Sequence, residues 1–213
     1  MKKIIAIVFA FVFAMGAWSA TQERPYYVLV GGALSTPVQT EKTKYNGDEI
    51  STSMTAIGFD FLFGSLPKEG NWGFISNFSF AFPQSITAKY KGEDYDVSKS
   101  DFKKLFLYDF TIAPEYFFLK KENGFIGIGP AFNLSMFAWD LEYVNGMNYS
   151  FGLGAILFGA LKFAGPMYLF ANVSGIYNFY TIGSVRTAYD TYSTSGALTN
   201  FALLPAFGIC LSL

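Results

Sequence analysis

Thr199-Asn200-Phe201-Ala202-Leu203-Leu204-Pro205-Ala206-Phe207-Gly208-Ile209-Cys210-Leu211-Ser212-Leu213 splits cleanly into two sets. One parity is Phe201, Leu203, Pro205, Phe207, Ile209, Leu211 and Leu213. The other is Asn200, Ala202, Leu204, Ala206, Gly208, Cys210 and Ser212. One face is large and apolar, and the other is mostly small or polar. Successive side chains of a strand point to opposite faces, so a period of two marks a strand and excludes a helix.

The same split recurs upstream. Residues 72 to 82 set Trp72, Phe74, Phe78, Phe80 and Phe82 against Gly73, Ile75, Asn77, Ser79 and Ala81. Residues 104 to 118 set Phe106, Tyr108, Phe110, Ile112 and Tyr116 against Leu107, Asp109, Thr111, Ala113 and Glu115. Residues 126 to 136 set Ile126, Ile128, Phe132 and Leu134 against Gly127, Gly129, Ala131, Asn133 and Ser135. Residues 53 to 64 and 149 to 161 follow suit, 167 to 181 are noisier, and 25 to 35 are weaker still. That makes eight strands, each long enough to cross a bilayer at the usual tilt.

The connections alternate in length. Long ones are expected at 36–52, 83–103 and 183–198, a medium one at 139–147, and short turns at 64–71, 119–124 and 162–166. The turns carry breakers such as Leu66-Pro67-Lys68-Glu69-Gly70 and Ala164-Gly165-Pro166. Nine charges of mixed sign between Lys89 and Lys104 mark one solvated connection. Long connections on one side and tight turns on the other describe an up-and-down barrel. Pro114, Pro130 and Pro205 fall inside strands and each removes a ladder donor, so bulges are expected there.

Composition decides which face is outside. The chain is 52% hydrophobic and 20% aromatic but only 15% charged. A soluble lipocalin-like binding barrel would turn the large residues inward. Eight strands enclose just enough room for one layer of side chains or a small ligand, and about five large residues per strand cannot fit there. The opposite face has almost no Lys or Glu and would make a poor water-exposed surface. Turned toward lipid, the apolar face is favoured by transfer, and closure satisfies every backbone group. The fold class is therefore all-β: a single eight-stranded antiparallel up-and-down transmembrane β-barrel.

Residues 1–19 read as a secretory signal peptide: basic Lys2-Lys3, apolar Ile4 to Phe13, and small residues up to a cleavage point after Ser19 or Ala20. The barrel then spans 20–213, and its charge is 13 minus 16, or −3. The expected location is the outer membrane of a diderm bacterium, as a monomer whose main partner is lipid. With Lys+Arg at 15 and Asp+Glu at 16, nucleic-acid binding through a basic surface is not expected. One Cys excludes an internal disulfide. No cofactor or metal is expected.

With this strand count, loop alternation and final strand, the chain resembles the small eight-stranded outer-membrane barrels of the OmpA-barrel, OmpX and OmpW type, and more faintly the small spirochaete barrels of unknown role. It departs from them at Leu213, where such proteins carry Phe or Trp. The resemblance to OmpW implies a passive channel for small hydrophobic solutes. Outer-membrane enzymes of this architecture use His as a base or orienting group, and this chain has none, so no enzyme is expected. A structural or surface-interaction role is the main expectation, with ligand contacts through 36–52, 83–103 and 183–198, where Tyr90, Tyr95 and Tyr189 lie.

Four strand charges stand out. Asp60, Asp109 and Glu115 have lumen parity, and Lys162 could pair with them in a plug, since charges in a membrane barrel face the lumen and pair. Asn77/Ser79, Asn133/Ser135 and Asn172/Ser174 read as hydrogen-bonded lumen filling. Trp72, Tyr116 and Phe118 on the short-turn side, and Phe82, Phe106, Trp139, Tyr149 and Phe179 on the long-connection side, read as aromatic girdles.

Overall fold

In the computed structural model, residues 26–45, 48–187, 191–196 and 199–213 are described. The expected signal peptide and Tyr189 lie outside them. Eleven strands form: β1 (Tyr26–Ser35), β2 (Val38–Tyr45), β3 (Asp48–Pro67), β4 (Trp72–Tyr90), β5 (Glu93–Val97), β6 (Lys104–Lys121), β7 (Gly124–Asp140), β8 (Val144–Ala164), β9 (Met167–Thr187), β10 (Thr191–Gly196) and β11 (Thr199–Ser212). β1 and β2 are one wall strand broken at Thr36-Pro37, since both pair β3 on one side and β11 on the other. β5 and β10 fold back on β4 and β9 outside the ring. The remaining pairings run β3–β4–β6–β7–β8–β9–β11 and return to β1, so eight antiparallel strands close on themselves.

The alternation fixes the faces as expected. Ile57, Phe59, Phe61, Leu153, Leu157, Phe201, Phe207 and Ile209 are all exposed on the outer wall. Their strand neighbours Ala56, Asp60, Leu62, Ile156, Ala202, Ala206 and Cys210 are buried. A closed ladder leaves few backbone groups unpaired, and the outer wall is the apolar band that a bilayer requires.

The expected long connections are corrected. β3, β4, β8 and β9 run 19 to 21 residues, about twice the 9 to 11 that span a bilayer. The described residues of 36–52, 83–103 and 183–198 are therefore largely paired strand, and only residues 141–143 interrupt the pairing between β7 and β8. The apolar alternation stops at the membrane boundary, but the Thr-, Ser- and Lys-rich continuations keep pairing in water. The short turns at Gly70 and Gly165 carry positive φ values of 73° and 49°, a region glycine enters without a Cβ clash.

The proline expectation is also corrected. Register shifts fall between Thr55 and Ala56, Phe117 and Leu119, Phe151 and Gly152, and Lys162 and Ala164, at none of Pro114, Pro130 and Pro205; the first leaves Gln84 as an extra residue beside another strand proline, Pro83. Pairing of β6 with β7 runs through Ile112↔Phe132 and resumes at Tyr116↔Ile128 in the same register. Pro114 therefore faces Pro130 directly. Both lack the donor, so the ladder opens over three residues and neither strand needs an extra one. Pro205 lies opposite the Thr36-Pro37 break, where its carbonyl accepts from the Thr36 N–H at 3.1 Å.

The short-turn half of the lumen is filled by rings, which the small-polar parity does not foretell. Phe125 stacks on Phe158 (5.8 Å between centroids) and Phe158 on Phe170 (5.7 Å). Phe117 and Tyr168 meet Phe125 at 5.6 and 5.3 Å. Leu29, Leu62, Leu66 and Ile75 belong to the same buried cluster. Phe158→Ala should therefore lower unfolding stability by about 3–5 kcal/mol. The measurement is urea unfolding from lipid vesicles; a loss below about 1 kcal/mol would contradict a packed layer.

Candidate functional site

Above the ring layer the lumen becomes polar. Asp60, Ser79, Asp109, Ser135, Ser150 and Thr181 pair in succession across β3, β4, β6, β7, β8 and β9, and all six are buried. Asp60 pairs in register with Ser79, and the Ser79 and Ser35 hydroxyls lie 3.2 Å apart. The Asn133 amide donates to Thr111 Oγ1 at 3.0 Å, and Gln39 Nε2 to Ser135 Oγ at 3.4 Å. Asp109 stands close enough to Asp60 to feel its charge.

Two of the expected acids thus come together at mid-lumen. Glu115 lies apart, three inward positions nearer the short turns, fully buried beside Phe117. Its side chain fills the hollow left by Gly127 and Gly129; a Cβ at Gly127 would come within 2.8 Å of both Glu115 Cγ and Phe117 Cδ1. Lys162 does not join them. It is exposed at the short-turn rim, where the β8–β9 register shifts, with the Phe125/Phe158/Phe170 layer between it and the acids. The salt-bridged plug is corrected accordingly: among the described residues, no ion pair joins Asp60, Asp109 or Glu115 to a cation.

Asn77, Ser79, Asn133, Ser135, Asn172 and Ser174 are all buried in the lumen. Asn178 and Asn200 are buried there too, on the same inward parity. Asn172, Asn178 and Asn200 retain side-chain atoms with no partner in the protein, as do Asp109 and Glu115. Atoms of this kind take their bonds from water where the lumen admits it.

Trp72, Tyr116, Phe118, Phe82, Tyr149 and Phe179 stand exposed on the outer wall, and Phe106 is half-buried there. Trp72 packs edge-on against Tyr116 at 5.3 Å. Trp139 is the exception and corrects the expected girdle. It shares the inward parity of Asn133, Ser135 and Phe137, and its ring lies over Gly146, which has no side chain to displace it. It lines a cup at the hairpin end of the lumen.

That cup encloses about 270 Å³. Its walls are apolar, with Met54, Ile86, Val97, Phe102, Phe137 and Trp139, and its polar groups include Gln39, Ser135 and Ser150. Glu41 sits in the upper wall, where burial raises its carboxyl above the ordinary range. A mainly apolar hollow with a few converging polar groups is the usual form of a small-molecule site.

Beside the cup the wall is incomplete. β4 pairs β6 only as far as Ala81↔Leu107, while β6 stays paired to β7 as far as Lys104↔Asp140. In the unpaired stretch the Gln84 amide donates to the Phe82 carbonyl at 2.9 Å. On the outside of this opening lies a groove of about 470 Å³, lined by Ile57, Phe59, Phe82, Gln84, Leu105, Lys103, Lys104 and Phe102. Phe102 lines both hollows. In the sequence Phe102 falls in a solvated connection, with no sign of this position.

No family model matches the chain, and no curated protein matches it. Solved structures do. OprG from Pseudomonas aeruginosa superposes with a TM-score of 0.51 at 12% identity, covering 89% of this chain and 96% of that one. The fold is that of the small outer-membrane barrels. A major outer membrane protein from Thermus thermophilus gives 0.51 at 11% identity, over 85% and 99%. The outer membrane protease OmpT from Escherichia coli gives 0.53 at 7%, over 92% and 100%. One of these is a protease, so the fold alone does not decide for or against an enzyme.

Glu115 is fully buried with no cation beside it among the described residues, an environment that favours the neutral carboxylic acid. Gln of the same shape should therefore keep unfolding stability within about 1 kcal/mol, and Lys162→Ala should leave it within about 0.5 kcal/mol. Urea unfolding in vesicles reads both, and a large loss in Lys162→Ala would restore the plug.

Proposed function

We propose that this chain is an outer-membrane barrel that takes a small, mainly apolar molecule into its hairpin-end cup and releases it sideways into the surrounding leaflet. With short turns on the periplasmic side, as in known barrels, the cup faces outward. The observation that carries the proposal is Phe102. Its side chain lines both the cup and the membrane-facing groove, at the place where β4 and β6 are unpaired. The ring layer of Phe117, Phe125, Phe158 and Phe170 speaks against passage straight along the axis, because each of these rings is buried.

The route has a simple energetic logic. An apolar solute loses its water contacts in the cup and meets the apolar floor of the groove, Ile57, Phe59 and Phe82, before lipid. Ions gain nothing from such a route. A second reading, surface contact through the hairpins, is supported by Tyr95 and Tyr143, which are exposed beyond the wall. Tyr95 also donates to Glu93 at 2.9 Å, which holds its hydroxyl above the usual range.

Transfer is measured with an uncharged fluorescent apolar probe added to proteoliposomes. The protein should speed probe entry into the bilayer without discrete ion conductance in planar membranes. Phe102→Ala should raise the rate several-fold, and a disulfide between Gln84→Cys and Leu105→Cys should suppress it until reduced. Steady ion-conducting openings, or a rate indifferent to both changes, would overturn the proposal.

A further inference from the structure

The groove outside Phe102 has a second chemistry of its own. Its floor is apolar: Ile57, Phe59, Phe82 and Leu105, with Ile57, Phe59 and Phe82 all exposed on the wall. Two adjacent lysines, Lys103 and Lys104, complete the lining, and no carboxylate does. Both lysines are exposed. Among the described residues neither ammonium group has a partner. The Lys103 N–H donates to the Asp140 carbonyl at 2.7 Å, so the backbone holding the pair is fixed to the wall.

Their level in the membrane follows from the strand. Lys104 shares the outward parity of Phe106 and Tyr108. Those two rings pack with Phe80 and, through it, Phe82, at centroid distances of 4.7 to 6.4 Å. Such an aromatic patch sits at the headgroup boundary. Lys104 stands just beyond it, where a charged head reaches the interface and its stem lies along apolar surface. Two unpaired cations over an apolar slot, at headgroup depth, complement an anion that carries an acyl chain.

We propose that this groove is a binding site for one phosphate-bearing anionic lipid of the leaflet around it. The phosphate lies between Lys103 and Lys104, and an acyl chain runs over Ile57, Phe59 and Phe82. Each lysine near such a surface contributes attraction of about 1 kcal/mol, or about five-fold in affinity. The site does not depend on any solute passing Phe102, so failure of lateral transfer would leave it standing, and the reverse also holds.

The test is native mass spectrometry of the refolded full chain, released from micelles holding equal amounts of dimyristoyl phosphatidylglycerol and dimyristoyl phosphatidylcholine. The phosphatidylglycerol adduct should exceed the phosphatidylcholine adduct at least five-fold, about the effect of one lysine. Lys103→Gln with Lys104→Gln should bring the two adducts level, while Lys121→Gln with Lys162→Gln, at the opposite end, should keep the preference. Heat-modifiable migration on gels shows that each variant is folded. Equal adducts in the native protein, or a preference that survives the 103/104 change, would overturn the proposal. So would inorganic phosphate displacing the lipid, because that would mark a site for the free ion.

Discussion

Lipid offers no hydrogen bonds, so a chain that crosses it in extended form must pair every backbone group with itself. Closure of eight strands is the answer here, and the rest of the molecule follows from it. Once the ring is closed, alternation assigns every side chain to lipid or lumen. The places where the ladder opens then become the informative ones. Pro114 and Pro130 face each other, so one gap absorbs both missing donors. Between β4 and β6 the opening is of another kind: the strands part above Ala81 and Leu107, Gln84 bonds the Phe82 carbonyl, and Phe102 stands in the space.

The lumen divides into three levels with different physics. Stacked rings close the short-turn end. A belt of Asp, Asn, Ser and Thr fills the middle, and several of its buried atoms lack protein partners. The cup at the hairpin end is apolar again. Burying Asp60, Asp109 and Glu115 without a cation is costly for stability, while the ring layer beneath them supplies packing. The cup and the wall opening lie on the far side of the polar belt from that layer, so the molecule looks outward and sideways.

Much of this is legible in the sequence. Eight strands, the order of turns, the lipid face and the inward Asn/Ser pairs all follow from a period of two. What escapes has physical reasons. Phe117, Phe125, Phe158 and Phe170 are large residues on the small-residue parity, and pattern reading assigns rings to lipid. Trp139 reads as a girdle residue because its distance along β7 suits the rim, yet its odd position turns it inward over Gly146. Lys162 has lumen parity but lies past the ring layer, a depth that parity does not report. The paired extensions beyond the membrane lack an apolar face, so the signal that marks the strands stops early. Phe102 owes its place to two strands parting, a tertiary event with no local trace.

Parity, and not position along a strand, decides which side chains meet lipid. Trp72 and Trp139 test this most directly, since both lie near the ends of their strands. Two single-tryptophan proteins serve, with Trp18 and one of the pair changed to Phe, each refolded into vesicles with brominated acyl chains. The bromines should quench Trp72 strongly, while emission from Trp139 should resist them but yield to acrylamide in the water. Bromine quenching of Trp139 as strong as that of Trp72 would contradict the inward placement.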